Sequence, residues 1–172
     1  MATSSSNKMP LLVDRPLHSF ATIGGTAAIT TAGNYNTPSP SGCFLLVDCS
    51  SNDGAVIDSL SILTLENSSA THNVLVFLST ATTATSITAA NTALVARAAV
   101  TSTLGSRANI SLPPLSVPVP NLGADSNISE TDKKNTGLYV PSSALIYVGI
   151  DEAMDAPSAN TRVHVFAQGG FF

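Results

Sequence analysis

The stretch Ala55–Thr80, AVIDSLSILTLENSSATHNVLVFLST, decides how this chain folds. It holds two apolar runs, Leu60–Leu65 and Val74–Leu78, separated by the polar break ENSSATHN. Leu, Ile, Val and Phe dominate both runs, and each is too short for an ordinary helix but of the right length for a buried strand. A break of this size lets the chain turn back, so the two runs read as an antiparallel pair at the centre of a β-sandwich. Val74, Val76 and Leu78 would lie on one face of the second strand, with Leu75 and Phe77 on the other. A strand apolar on both faces is one that is covered from two sides.

The flanking segments continue the pattern. LHSFATI (17–23), TAAIT (26–30) and CFLLVDC (43–49) read as short strands, separated by the turn-rich GNYNTPSPSG (33–42) and closed by the Asp53-Gly54 turn. TATTATS (80–86) reads as a polar, solvent-facing loop. In AANTALVARAAV (89–100), Ala and Leu favour helix and Asn91 could cap one, but the Thr- and Val-rich surroundings favour a strand. SLPPLSVPVPNLG (111–123) carries Pro113, Pro114, Pro118 and Pro120, so it belongs at an edge or on the surface. ADSNISETDKKNTG (124–137) gathers Asp125, Glu130, Asp132, Lys133 and Lys134 and reads as a solvent loop. GLYVPSSALIYVGI (137–150) and TRVHVFAQ (161–168) close the series. In the latter, Val163, Val165 and Ala167 alternate with Arg162, His164, Phe166 and Gln168, the pattern of a strand with one side on a core. The expectation is an all-β chain: a single, jelly-roll-like β-sandwich over residues 17–172, preceded by an extended N-terminal arm over residues 1–16.

Composition narrows function. Only 10% of the residues are charged, against about 25% in ordinary soluble domains, while Ser and Thr number 42. A surface so short of charge is expected to be covered by partners, which points to an assembly. With seven Lys plus Arg and a net charge of -4, the chain has no basic stripe for nucleic acid. No stretch offers the ~20 continuous apolar residues of a membrane-spanning helix, and the start lacks the basic region and apolar core of a secretory signal. Cys43 and Cys49, six residues apart in one strand, would sit ~20 Å from each other and are expected as buried thiols.

Chemistry is hard to find. His18, His72 and His164 stand alone, with no metal-binding spacing, and neither a nucleophile elbow nor a phosphate loop with its lysine is present. DCSSNDGAVIDS (48–59) resembles a calcium loop only at Asp48, Ser50 and Asn52. Gly54 comes one position late, and Ser59 stands where a bidentate Glu is needed. Asp151, Glu152 and Asp155 read as a solvated loop rather than a cation site. Nine aromatic residues, none of them Trp, argue against a stacking platform for sugars or bases. The chain is therefore expected not to be an enzyme and to need no cofactor or metal.

The order PLLVDRPLHSF, NVLVFLS, LPPLSVPVP, LYVPSSALIYVGI and VHVFAQGG resembles the small β-sandwich virion proteins of tailed phages, above all capsid decoration (cement) proteins. Short-tailed phages of cyanobacteria carry proteins of this general kind. The resemblance covers most of the chain and brings no catalytic residues. It implies a homotrimer, made in the host cytoplasm and seated on the capsid surface of the virion, where it binds major capsid protein and bridges neighbouring capsomers. The alternatives are a receptor- or glycan-binding module of a tail fibre or spike, and a neck or tail-completion protein. Partner contacts are expected at Leu11, Leu12 and Val13, apolar residues in a segment with no core of its own, and at Arg15, whose planar guanidinium can grip a carboxylate. Phe171 and Phe172, after an expected Gly169-Gly170 hinge, complete the set.

Overall fold

The computed structural model describes residues 14–24, 29, 42–65, 72–100, 103–112, 137–152 and 162–172. They form nine strands: β1 (Arg15–Gly24), β2 (Phe44–Asp48), β3 (Gly54–Thr64), β4 (Asn73–Ser79), β5 (Thr92–Ala99), β6 (Arg107–Ile110), β7 (Leu138–Pro141), β8 (Leu145–Ile150) and β9 (Arg162–Phe171). Ala84–Ser86 form a 3-10 turn. Two antiparallel sheets pack face to face: the first has the order β1-β9-β3-β6, with β7 also on β3, and the second has β2-β8-β4-β5. The chain is all-β and its architecture is a sandwich. The pairings nest: β4 lies beside β5, β3 beside β6, β2 beside β8 and β1 beside β9.

Alternation builds the core between the sheets. Leu17, Ala21 and Ile23 of β1 face Leu46 and Val47 of β2, Ile57, Leu60 and Ile62 of β3, Val74 and Val76 of β4, and Val163, Val165 and Ala167 of β9. Each Val, Leu or Ile among them contributes about 1.5–3 kcal/mol when removed from water. The period-2 reading of β9 holds residue by residue, and residues 92–99 are a strand rather than a helix.

The central pair is not a pair. β3 lies in the first sheet and β4 in the second. Both sides of β3 are already taken, by β9 on one and by β6 and β7 on the other, while β4 lies between β8 and β5. Apolar content on both faces marks a central strand but carries no information on its neighbours, because ladder hydrogen bonds are made by backbone. β4 is indeed covered twice. Val74 and Val76 face the main core, and Leu75 and Phe77 face a second cluster on the outside of the sheet, with Ile29, Ala81, Ile87 and Tyr147. Residues 80–87 are thus not merely a polar tip, since Ala81 and Ile87 are buried and the Tyr147 hydroxyl donates to the Ala81 carbonyl at 3.3 Å.

Two further expectations change. Residues 137–150 are two strands in different sheets, broken at Ser142-Ser143, where Ser143 adopts φ 65. Gly169-Gly170 is no hinge, because both residues lie inside β9, and a Cβ on Gly169 would fall 1.9 Å from the Val56 carbonyl oxygen. The glycine admits a close approach of β3 beside the bulge at Asp58, where the β3–β9 register shifts.

Candidate functional site: an aromatic and cationic sheet face

The outer faces of the two sheets differ. The second sheet is covered over β4 and β8 by the chain's own Ile29, Ala81 and Ile87. On the first sheet the outward residues of β1, β9, β3 and β6 form cross-strand rows set by register. Thr22, His164, Leu63 and Arg107 make one row, and Phe20, Phe166, Ser61 and Asn109 make the next. His18, Gln168 and Ser59 follow in a third.

Phe20, halfway along the edge strand β1, is 64% exposed on this face. Its ring centroid lies 6.3 Å from that of His164 and 6.1 Å from that of Phe166, and His164 and Phe166 are themselves 6.1 Å apart. The three rings form a near-equilateral platform. The Arg107 guanidinium lies 5.2 Å from the Phe166 centroid, within cation–π range. His164 Nδ1 shares a 3.0 Å hydrogen bond with the Thr22 hydroxyl, which ties the imidazole down at 65° to the Phe20 ring, an edge arrangement. Beside the platform, a shallow polar groove of about 320 Å³ runs along Asp58, Ser59, Asn109 and Ser111.

Of the expected partner residues, Leu11, Leu12 and Val13 lie outside the described residues. Arg15, Phe171 and Phe172 come together at the end of the sandwich where β1 begins and β9 ends. Arg15 belongs to β1 rather than to an arm, so the strand starts two residues earlier than expected. Its guanidinium donates to Asn52 Oδ1 and sits 5.6 Å over the Phe171 ring, within its own subunit. Phe171 packs partly on the main core, and Phe172 lies 6.4 Å from the Tyr139 ring. The Phe172 amide donates to the Gly54 carbonyl and the Asp53 amide to the Phe172 carbonyl, so the final residue is stitched to the start of β3.

Polar groups elsewhere have structural tasks. Asp48 Oδ1 accepts the Ser50 amide at 2.7 Å, an Asx turn within the stretch that partly resembles a calcium loop. Asp151 is buried and accepts the Asn73 backbone amide at 2.7 Å and its Nδ2 at 2.6 Å, fastening β8 to β4. Among the described residues no group of three or more His, Cys, Asp or Glu could hold a metal ion, and no helix is long and apolar enough to cross a membrane. Cys43 and Cys49 are free thiols in separate clusters. Burial pushes both up to about 11, with the Asp48 charge adding to the effect at Cys49. Tyr147 is raised too, first by burial and then by the charges of Asp48 and Cys43.

Sequence reasoning missed Phe20, Arg107 and Tyr139 as surface features. Half of the signal was present in β9, whose alternation puts His164 and Phe166 on one side. What placed Phe20 beside them was the β1–β9 register, and Arg107 came from the far edge of the sheet. The chain is poor in aromatics, yet the fold collects two phenylalanine rings and an imidazole on one patch.

What this arrangement offers chemically is recognition. A flat, polar-flanked sheet face with an exposed aromatic and an arginine has the composition of a protein-binding surface. The described part of the chain is thus a two-sheet β-sandwich with an aromatic and cationic patch on the outer face of its first sheet. Comparison with protein-family models, with curated proteins and with solved structures returns no match.

Proposed function

We propose that the protein is a virion structural protein that binds the outside of a capsid lattice and cements neighbouring capsomers. The observation that carries the reading is the exposure of Phe20, with Phe166 and His164 against it, on a sheet face that the described residues leave open. An isolated surface aromatic is ordinary, but a registered group of rings with an arginine over one of them is the make-up of a binding hot spot. The scarcity of charge fits a surface that ends up against other protein. The nested strand pairing supports the jelly-roll form of the sandwich, since a long hairpin rolled on itself pairs first with last, second with next-to-last, and so inward. Repeated weak contacts, multiplied by a trimer of subunits, would hold such a protein on a lattice by avidity, and binding the assembled shell better than free capsomers stabilises it.

The same rings favour a second reading, a glycan-binding module of a tail fibre or spike. A sugar could stack on Phe20 while His18, Gln168 and Asn109 meet its hydroxyls. The test is to mix the purified protein with phage heads that lack it and average images of the particles. Regular density at capsomer junctions is expected. Density confined to the neck or tail, or none, overturns the capsid reading, and binding to glycans without binding to heads moves the function to the second.

A further inference from the structure

The edges of the two sheets are not alike. In the second sheet, β2 has only five residues and a bulge at Leu46, and β5 has a bulge at Val95 and the half-exposed Arg97. At the far edge of the first sheet, β6 and β7 share the side of β3 in pieces of four residues each. Short, bulged or charged edges resist the addition of another strand. β1 has none of these features. Its ten residues pair with β9 without a register shift, and no Asp, Glu, Lys or Arg stands between Pro16 and Gly24.

Alternation identifies the open backbone groups of β1. The Phe172 amide donates to the Gly54 carbonyl and the Leu65 amide to the Arg162 carbonyl, so the even-numbered residues of β9 turn their backbone to β3 and the odd-numbered ones to β1. By register, the odd residues of β1 complete the β9 ladder. The even ones, Pro16, His18, Phe20, Thr22 and Gly24, direct their backbone away from the sheet, where no backbone group of the described residues bonds to them. Pro16, which has no N–H, blunts only the start of this row. Amides and carbonyls at this spacing take one class of ligand, the backbone of an extended strand.

The core side of the same edge carries an unmet group. Ser19 lies between Leu17 and Ala21 on the inner face of β1, and its hydroxyl oxygen is buried with no partner among the described residues. In a ladder built on the even residues, the odd ones form the non-bonded pairs, with Cα atoms about 4.5 Å apart. An antiparallel copy of β1 centred on Ser19 sets two such hydroxyls opposite each other, each able to donate and to accept. His18 then meets Phe20 of the second copy on the outer face, and no charged side chain opposes another. β1 is thus its own complement, and no other described strand of the chain offers an open edge of this kind.

We infer that β1 pairs antiparallel with β1 of a second copy across a two-fold axis at Ser19, joining the two five-stranded sheets into one. The contact is isologous and closes at a dimer. It does not rest on the capsid reading, because backbone groups make it.

The test is sedimentation velocity of the full chain over a micromolar concentration series, with thermal melts confirming folding. The wild-type chain is expected to dimerise. His18→Pro removes an outward N–H, twice per dimer, and leaves the β9 ladder and Phe20 in place, so it should weaken association at least about 30-fold. His18→Ser, which keeps the N–H, should leave most of the association intact. Ser19→Cys should give a covalent dimer under copper-phenanthroline oxidation, since a non-bonded pair lies within disulfide reach, and the wild type, with Cys43 and Cys49 buried, should give none. A monomeric wild-type chain overturns the inference, as does a dimer that tolerates His18→Pro as well as His18→Ser, or one that Ser19→Cys does not cross-link. If the wild-type monomer decorates heads and His18→Pro abolishes that binding, the edge takes a capsid strand instead, and the inference fails while the proposed function stands. A dimer with these properties that leaves heads bare upholds the inference and overturns the capsid reading.

Discussion

Replacing Gly169 with alanine is a stringent probe of how β3 and β9 meet. The new Cβ would lie 1.9 Å from the Val56 carbonyl oxygen, 2.9 Å from the Val56 carbonyl carbon and 3.0 Å from Ile57 Cα. All three are backbone atoms, so no rotamer change relieves the overlap. Ordinary contact begins near 3.4 Å, so the two strands must part by roughly 1.5 Å at this point. The pair joins the inner strands of the first sheet, and the site adjoins the bulge at Asp58, where the ladder is already interrupted. Overpacking alone costs about 1–3 kcal/mol, and each ladder hydrogen bond stretched beyond use adds about 1 kcal/mol. The expected loss is therefore about 3–5 kcal/mol, or a melting temperature lowered by roughly 6–20 °C for a domain of this size. Gly105→Ala is the control. Gly105 has φ +77 but nothing within 4 Å of its Cβ, so alanine there meets only the left-handed backbone cost of about 1–2 kcal/mol. Urea unfolding of both variants decides the matter. A Gly169→Ala midpoint at or above that of Gly105→Ala would refute the argument from close approach.

Two other outcomes follow from buried groups. Asp151→Ala removes the acceptor for two Asn73 donors at buried positions and should cost about 2–4 kcal/mol in urea unfolding. Arg97→Ala, which breaks only a 3.8 Å pair whose arginine is 54% exposed, should cost under about 1 kcal/mol, and the reverse ranking would assign the fastening to the wrong partner. The thiols give a pH dependence. Cys43 and Cys49 hold their protons to about 11, whereas unfolded cysteine ionises nearer 9.0, so between these values the unfolded chain binds fewer protons and stability must fall as pH rises. Native protein at pH 8 should react with a thiol reagent far more slowly than urea-unfolded protein. Equal rates would show that the thiols are not shielded.

Much of the architecture is legible in the sequence because local rules enforce it. Short runs rich in Val, Ile and Leu between Gly-, Asn- and Pro-rich breaks cannot form long helices, and the alternation of Arg162–Gln168 assigns each side chain of β9 to core or exterior unaided. The double coverage of Val74–Leu78 is legible in the same way, because a strand apolar on both faces must be buried on both. Pairing is a different matter. Leu60–Leu65 and Val74–Leu78 are equally apolar whether they lie side by side or in opposite sheets, since the backbone bonds that join strands do not depend on side-chain identity. The face around Phe20 shares that origin. Phe20, Phe166 and Arg107 are up to 146 positions apart in the chain and become neighbours only through the β1–β9, β9–β3 and β3–β6 registers. The sequence by itself determined that this chain is β, short of charge and without a recognisable catalytic motif. Only the tertiary structure decided which face stays open and which rings stand on it, because strand register is a long-range property that no local pattern encodes.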